Sequence, residues 1–525
     1  MQLGTPDPTS VMDNPANKLS SFFGRLNYDY KGKYLITLTL RADGSSKFAK
    51  GNQWGYFPSA ALAWRISDEN FLKSTNRWLS ELKLRASYGE SGNNRISDNA
   101  WRKTFSVLSG SGPNSGALYM SGDETTATPY LAPNSILSNP KLKWETTETM
   151  NAGVDFGIFK QRLSGTFEIY KNTTKDLLIQ ATVPPSTGYS KQWQNIGQTS
   201  NRGIELTLNG VIVQNKDFRL STSFNIAFNR NRIDKLGDTK QWEQTSTWLG
   251  WSGSGTISGD YLIKEGGQIG QMYGYETDGM YSVDDFYYDS AKKTYTLKEN
   301  VPNDNGLLGA KRFWPGTLKL KNQNDDYIVD SKDKVVIGNA NPKHTGGFSL
   351  TAQYKGFDAS AFFNWVYGND IYNATKLYFT TDPFGYNFRN VMGVMNSDNR
   401  FIYFSKETGE LVSDPVQLAE MNKNAKLFSP AMINMQLHSW DIEDGSFLRL
   451  NTVTIGYSLP GNVLHRLSLS RLRIYATAYN VWTWTKYSGY DPEVDLVRGT
   501  PLTPGIDWSA FPRSRSFNIG INVEF

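Results

Sequence analysis

Phe517-Asn518-Ile519-Gly520-Ile521-Asn522-Val523-Glu524-Phe525 closes the sequence with every odd position apolar and every even position polar or glycine. Successive side chains of a strand point to opposite faces, so this period of two describes a ribbon with one apolar and one polar side. A soluble sandwich could close with such a strand. The aromatic terminus favours a transmembrane barrel wall, whose strands alternate apolar-out and polar-in between aromatic girdles.

The same grammar recurs upstream. Phe22, Gly24, Leu26, Tyr28 and Tyr30 oppose Phe23, Arg25, Asn27 and Asp29, and after a Lys31-Gly32 turn Tyr34, Ile36, Leu38 and Leu40 oppose Leu35, Thr37, Thr39 and Arg41. Further strands are expected at 81–89, 144–159 with 162–171, 202–213 with 218–229, 346–354 with 357–366, 448–459 and 471–482. The count is roughly fourteen antiparallel strands. Short turns at Lys31-Gly32, Lys160-Gln161, Asn215-Lys216 and Lys355-Gly356 alternate with long stretches at 230–273, 281–343 and 369–446. That asymmetry predicts short periplasmic turns and long extracellular loops. Tyr28, Tyr30, Tyr34, Tyr88, Trp144, Tyr170, Tyr354, Trp482 and Trp484 fall near strand ends, where interfacial aromatics belong.

Composition agrees. Aromatics make up 14% of 525 residues while mean hydropathy is −0.49, and 47 residues are glycine. A single soluble core stops growing at about 250–300 residues, whereas a barrel grows around its circumference. No run of about 20 apolar residues is present, which excludes a helical membrane protein. The absence of cysteine excludes thiol chemistry, disulfides and cysteine-ligated metals. Fifty-five basic and fifty acidic residues are interspersed without a polybasic block, so nucleic acid is not an expected partner. Met1–Ser10 has neither a charged nor an apolar signal region, which places any export signal upstream.

Several blocks carry a family resemblance. Leu40-Arg41-Ala42-Asp43-Gly44-Ser45-Ser46-Lys47-Phe48, Trp54-Gly55-Tyr56-Phe57-Pro58-Ser59 and Leu82-Lys83-Leu84-Arg85-Ala86-Ser87-Tyr88-Gly89 come first. They are followed by Leu142–Thr147, Asn201–Glu205, Ile337–Lys343 with Gly346-Gly347, and Phe511-Pro512-Arg513. In this order the blocks resemble the barrel of SusC/RagA-like TonB-dependent outer-membrane transporters across nearly the whole sequence. The resemblance implies a barrel of about 22 strands with an internal plug. Residues 1–525 are therefore expected to be the C-terminal portion of that barrel, with plug, TonB-binding segment and signal peptide lying N-terminal to it. The first and last strands should then remain apart.

The resemblance further implies active import across the outer membrane of an oligosaccharide or peptide captured by a SusD-like lipoprotein and energised by TonB. No catalytic residue is implied. A passive porin and a secreted glycan-binding β-sandwich are the rival readings. In outer-membrane barrels generally the assembly machinery recognises an amphipathic, aromatic-ended last strand, which assigns that role to Phe517, Ile519, Ile521, Val523 and Phe525.

Other candidate sites are weaker. Loop aromatics Trp242, Trp248 and Trp251, with Tyr378, Phe379, Phe384 and Tyr386, have faces suited to sugar rings or peptide side chains, or to packing of loops. Asn322, Asn324, Asp326, Asp330 and Asp333 occupy oxygen-ligand spacings of a candidate calcium loop. Tyr327 sits where such a loop needs glycine, and the alternative is a solvated acidic turn. His344, His438 and His465 lack partners at ligand spacing and are expected to be structural. The glycine-rich runs 109–112 and 253–259 read as loops, and no other cofactor is expected.

Overall fold

The computed structural model describes residues 17–103, 105–108, 119–120, 127–128, 130–133, 136–237, 239–248, 257–304, 306–308, 314–324, 326–381, 390–430, 434–495 and 500–525. Thirteen long strands form one sheet in which every neighbour in space is the neighbour in sequence. They are β1 (Leu19–Tyr30), β2 (Tyr34–Ser45), β3 (Trp54–Arg65), β4 (Leu79–Asn93), β5 (Glu145–Ile158), β6 (Leu163–Lys175) and β7 (Gln198–Gln214). β8 (Phe218–Lys235), β9 (His344–Tyr354), β10 (Phe357–Tyr367), β11 (Phe447–Ser458), β12 (Arg471–Thr485) and β13 (Ser516–Glu524) complete it. β1 and β13 are its two edges and do not pair with each other, as expected for part of a barrel.

The connections alternate strictly. Those at 31–33, 66–78, 159–162, 215–217, 355–356 and 459–470 join strands at one end; those at 46–53, 94–144, 176–197, 236–343, 368–446 and 486–515 join them at the other. The short end is periplasmic and the long end extracellular.

One strand is weakly marked in the sequence. β3 sets Trp54, Tyr56, Pro58, Ala60, Leu62 and Trp64 on one face, but proline and alanine weaken the strand signal. The ladder explains why proline is tolerated. β3 pairs with β4 only from Ser59 onward, so Pro58 lies one residue beyond the rungs on that side.

The chain forms two compact units, Met1–Leu206 with Asn231–Lys240 and Thr207–Arg230 with Gln241–Phe525. In the first, the register aligns Tyr28, Ile36, Leu62, Ala86, Ala152 and Ile169 in one apolar row across six strands. Towards the periplasmic turns lies the row Tyr30, Tyr34, Trp64, Leu84, Val154 and Phe167, with the Tyr34 and Trp64 rings stacked at 6.3 Å. Asn27, Thr37, Ala61, Ser87, Asn151 and Tyr170 form a row on the opposite face. Tyr170 therefore faces away from the apolar band, contrary to expectation.

The second unit repeats the pattern. Phe218, Tyr354, Phe357, Tyr457, Ile474 and Ile521 align, as do Leu220, Ala352, Ala359, Ile455, Ala476 and Ile519. Phe348 and Phe363 stack at 4.4 Å nearer the loops. Register shifts occur beside Asn451 in β11 and at Asn480 in β12, whose φ is +51°, and the first re-phases β11. Without the bulge at Asn451 Leu450 would turn to the polar face; with it Leu450 joins the Phe348 and Phe363 row beside Trp482, which keeps the phase of Ile474, Ala476 and Ala478.

From Phe357 to Trp365, as from Tyr30 back to Phe22, the aromatic rows are eight positions apart. That is about 27 Å along a strand, or roughly 20 Å once barrel tilt is included, comparable with an apolar band of about 25 Å.

Candidate functional site

The polar face carries paired charges at positions flanked by outward apolar residues. Arg85 forks onto Asp155 through Nε and Nη2, both at 2.9 Å, and its Nη2 also reaches Glu168 Oε1 at 2.5 Å. Lys83 and the Thr166 hydroxyl complete the cluster around Asp155. Gly153 is the rung between Arg85 and Glu168, and a Cβ there would stand 3.2 Å from the guanidinium. In the second unit Arg473 makes the same bidentate contact with Asp358, at 2.9 and 2.5 Å, above Gly456. Such fork pairs hold charge in fixed geometry on a face wet enough to carry it. Sequence reading passed over them; the available signal was a charge at each inward position, such as Arg85 between Leu84 and Ala86.

The opposite face is exposed and apolar. On β13 Phe517, Ile519, Ile521 and Val523 are 76, 84, 62 and 42% exposed, in line with the apolar rows, and Phe525 follows at 94%.

Trp144 is not interfacial, as its place at a strand end had suggested. It is buried with Phe48, Phe57, Ile96, Ala100 and Leu142, and its Nε1 donates to Gln53 O at 2.8 Å. Three of the blocks that carried the family resemblance thus meet in one small core under the loops of the first unit.

The second unit's loops also fold around their own cores. Strands Gln241–Gln244, Tyr261–Lys264, Gln271–Gly274 and Val335–Asn339 form a sheet beside the helix Ala374–Thr380. Trp248 is 4% exposed, donates from Nε1 to the Tyr372 hydroxyl at 3.0 Å and packs on Trp508. It is a core residue, not a surface for solute, because its whole ring is spent on loop packing. Tyr378 is half-buried against Trp508 and Phe379, while Trp242 is half-buried opposite Ile263. Trp251, Phe384, Tyr386, the run 109–112 and most of 253–259 lie outside the described residues.

The acidic segment closes on itself. Asn322, Asn324, Asp326 and Asp330 each accept from the backbone N–H two residues on, and buried Asp333 accepts from Gln323 N at 2.7 Å and Asp330 N at 2.8 Å. Tyr327 takes a left-handed φ of +59° where a calcium loop uses glycine. Among the described residues no three His, Cys, Asp or Glu side chains converge as a metal site.

His344 stacks on Tyr367 and accepts from Trp365 Nε1, and His465 ends the short helix Gly461–Arg466. His438 lies buried with Nδ1 3.1 Å from Asp441 Oδ2. Burial lowers the histidine to about 3 and raises Asp441 well above the carboxylate range, so the pair is neutral as a whole.

Asp260 gives a pH test of loop burial. Ser246 donates to it from both backbone (2.7 Å) and hydroxyl, yet burial pushes its pKa up to about 6. An acid raised from about 3.9 when unfolded favours the fold while protonated, and this contribution is lost as pH rises through the folded value. His438 acts in the opposite sense, so the comparison is with Asp260→Asn. Protease resistance of the loop sheet in wild type, relative to that variant, is expected to fall between pH 4 and about 6 and then level. A constant ratio across that range would refute the assignment.

The family described as TonB dependent receptor-like, beta-barrel matches residues 2–391. TonB-dependent receptor P39 of Formosa agariphila is 33% identical over 98% of this chain and 47% of its own length. TonB-dependent receptor SusC of Bacteroides thetaiotaomicron is 31% identical over 97% of this chain and 44% of its own. The solved RagAB peptide transporter matches with TM-score 0.68 and 25% identity, and the closed-closed RagAB peptide importer with 0.69 and 26%. Each match covers 97% of this chain and 48% of that structure's chain. The chain spans about half the length of the curated relatives it matches.

Proposed function

The chain belongs to the TonB dependent receptor-like β-barrel family of the outer membrane, and from that premise we propose that it supplies part of the wall and loop surface of an active importer. The cargo is a large polar solute, a glycan or a peptide; the peptide arm is supported by the likeness to the RagAB peptide transporter. A SusD-like lipoprotein captures the solute above the loops, and the TonB complex drives passage through parts N-terminal to these residues. No covalent step and no cofactor belong to this reading.

The observation that carries it is the two-faced wall. Register-aligned apolar rows face lipid, while Arg85–Asp155–Glu168 and Arg473–Asp358 line the face turned to the lumen. Closed hydrogen bonding is what bilayer spanning by strands requires, so β1 and β13 need further strands beside them. The terminal strand, with Phe525, serves as the recognition element for the barrel assembly machinery.

Uptake by the full-length protein in its own outer membrane separates import from passive diffusion. Labelled oligosaccharides and peptides are supplied with TonB present or depleted. Uptake of one class is expected to fall at least about tenfold without TonB, since a plugged lumen conducts little. Undiminished entry would instead support the porin reading.

A further inference from the structure

Where the wall of the second unit meets its extracellular loops there is a cleft of about 430 Å³, whose lining includes Arg230, Gln268, Lys343, Tyr367, Asp370 and Asp444. Its lining is drawn from both faces of the sheet. Arg230 and Tyr367 continue the outward alternation of Phe228 and Trp365, whereas Lys343 precedes the outward His344 and has the inward parity. The rest comes from the loops: Gln268 precedes the strand Gln271–Gly274, Asp370 opens Asp370–Asn373, and Asp444 closes Ile442–Asp444 just before β11. The cleft thus belongs to the seam at the strand ends, on the side from which a solute arrives.

Its charges are balanced and only partly used. Arg230, Lys343 and Asp444 are exposed and Asp370 is half-buried. Arg230 donates from Nη1 to the carbonyls of Asn229, Pro342 and Lys343, at 2.8, 3.2 and 3.1 Å, which fixes the guanidinium and leaves Nε and Nη2 unspent. The stem of Lys343 lies over Gly368, where an added Cβ would stand 2.7 Å from its Cδ, and its ammonium makes no ion pair among the described residues. Asp370 Oδ2 accepts from Asn339 N at 2.7 Å and Asp444 Oδ1 from Ser446 N at 2.9 Å, so each carboxylate keeps a second oxygen. Burial holds the Asp370 carboxyl above the usual carboxylate range, with neighbouring Asp444 adding to the rise and Lys343 opposing it. Negative charge there is under-compensated, and a bound cation would relieve it. Gln268 Oε1 accepts from Asn339 Nδ2 at 2.6 Å, which leaves its amide N–H groups for another acceptor.

A neutral oligosaccharide would leave these charges unmet, and a purely anionic or cationic solute would set like charges face to face. A zwitterion satisfies both signs. The volume falls within the range of about 300–1,000 Å³ typical of small-ligand clefts, and an extended di- or tripeptide spans about 7–10 Å. We propose that this cleft is a subsite for short peptides with both ends unblocked, the α-carboxylate on Arg230 and Lys343, the α-ammonium on Asp370 and Asp444, and a peptide carbonyl on Gln268. The inference rests on the import reading above and narrows its cargo from glycan or peptide to peptide. A guanidinium edge suits a carboxylate in a two-bond fork, and an ammonium brings three donors to the two spare carboxylate oxygens.

The full-length transporter in detergent is titrated calorimetrically with trialanine, its N-acetylated form and its C-terminal amide, and maltotriose is tested as a competitor. Trialanine is expected to bind at least about tenfold more tightly than either blocked form, the scale of one charge-assisted contact. Lys343→Ala should erase the penalty of the amide but not that of the acetyl group, and Asp444→Asn should do the reverse. Lys343→Arg should restore the wild-type pattern. Such pairwise coupling does not arise from a general loss of structure, and an amide oxygen at position 444 can still accept from Ser446 N. Heat-modifiable migration verifies that every variant remains a folded barrel. Equal binding of the three peptides, variant and blocking effects that simply add, or displacement of trialanine by maltotriose would each overturn the proposal. Binding is read without TonB, so the two readings fail separately. End-dependent binding beside uptake that ignores TonB would uphold the cleft and sink active import; TonB-dependent uptake beside end-independent binding would sink the cleft alone.

Discussion

Removing Phe525 from the full-length protein is expected to lower the folded, outer-membrane-inserted form by about tenfold while leaving the stability of barrels that do insert almost unchanged. The two effects separate because the side chain contributes little to packing. Phe525 is 94% exposed and lies just past the last rung, Arg471 with Glu524. Even complete burial of one aromatic side chain against lipid bounds its contribution at about 2 to 3 kcal/mol. A recognition element acts earlier, when the unfolded chain meets the assembly machinery, and there a missing terminal ring is felt in the rate of capture. The measurement is the heat-modifiable, protease-resistant fraction in isolated outer membranes, with thermal unfolding of the inserted fraction alongside. Equal inserted amounts from both versions would remove the recognition role of β13 and leave its place in the wall intact.

A second expected result tests which face meets the bilayer. Leu350→Arg should abolish stable insertion, whereas Thr351→Arg, one residue away on the same strand, should be tolerated. Leu350 stands midway between the Tyr354 and Gly346 rows, among Thr222, Ala361, Val453, Ala478 and Phe517. A guanidinium at the bilayer midplane costs about 2–4 kcal/mol in such barrels. Thr351 aligns with Ser221, Ser360, Thr454, Thr477 and Asn518, a row of hydroxyls and amides that can solvate an added charge. Urea unfolding in lipid vesicles reads both variants. Similar destabilisation of the two would mean that the faces are not assigned as described.

The division between legible and hidden features follows from how each signal is encoded. β13, the β1–β2 hairpin and the β9–β10 hairpin were readable because side-chain alternation is local and their turns are short. β3 was not, since Pro58 and the alanines at 60, 61 and 63 dilute the contrast between its faces. The bulge at Asn451 was also silent, because a single inserted residue shows in sequence only as an alternation that changes phase. Among the site residues, Trp248 and Trp144 looked like presented rings and are core residues instead. An aromatic side chain reads the same whether a loop folds over it or leaves it to solvent.

By itself, then, the sequence determined the period of two, the order of strands, the alternation of short and long connections and the apolar face of the last strand. These rest on steric rules acting between near neighbours, which no distant residue can rewrite. Tertiary structure alone decided the rows. Register brought Arg85 to Asp155 and Glu168, set Arg473 on Asp358, folded the loops over Trp248, and gathered Arg230, Lys343, Asp370 and Asp444 around one cleft. Partners separated by tens to hundreds of residues meet only when backbone hydrogen bonds fix one strand against the next, and that pairing is a property of the whole sheet.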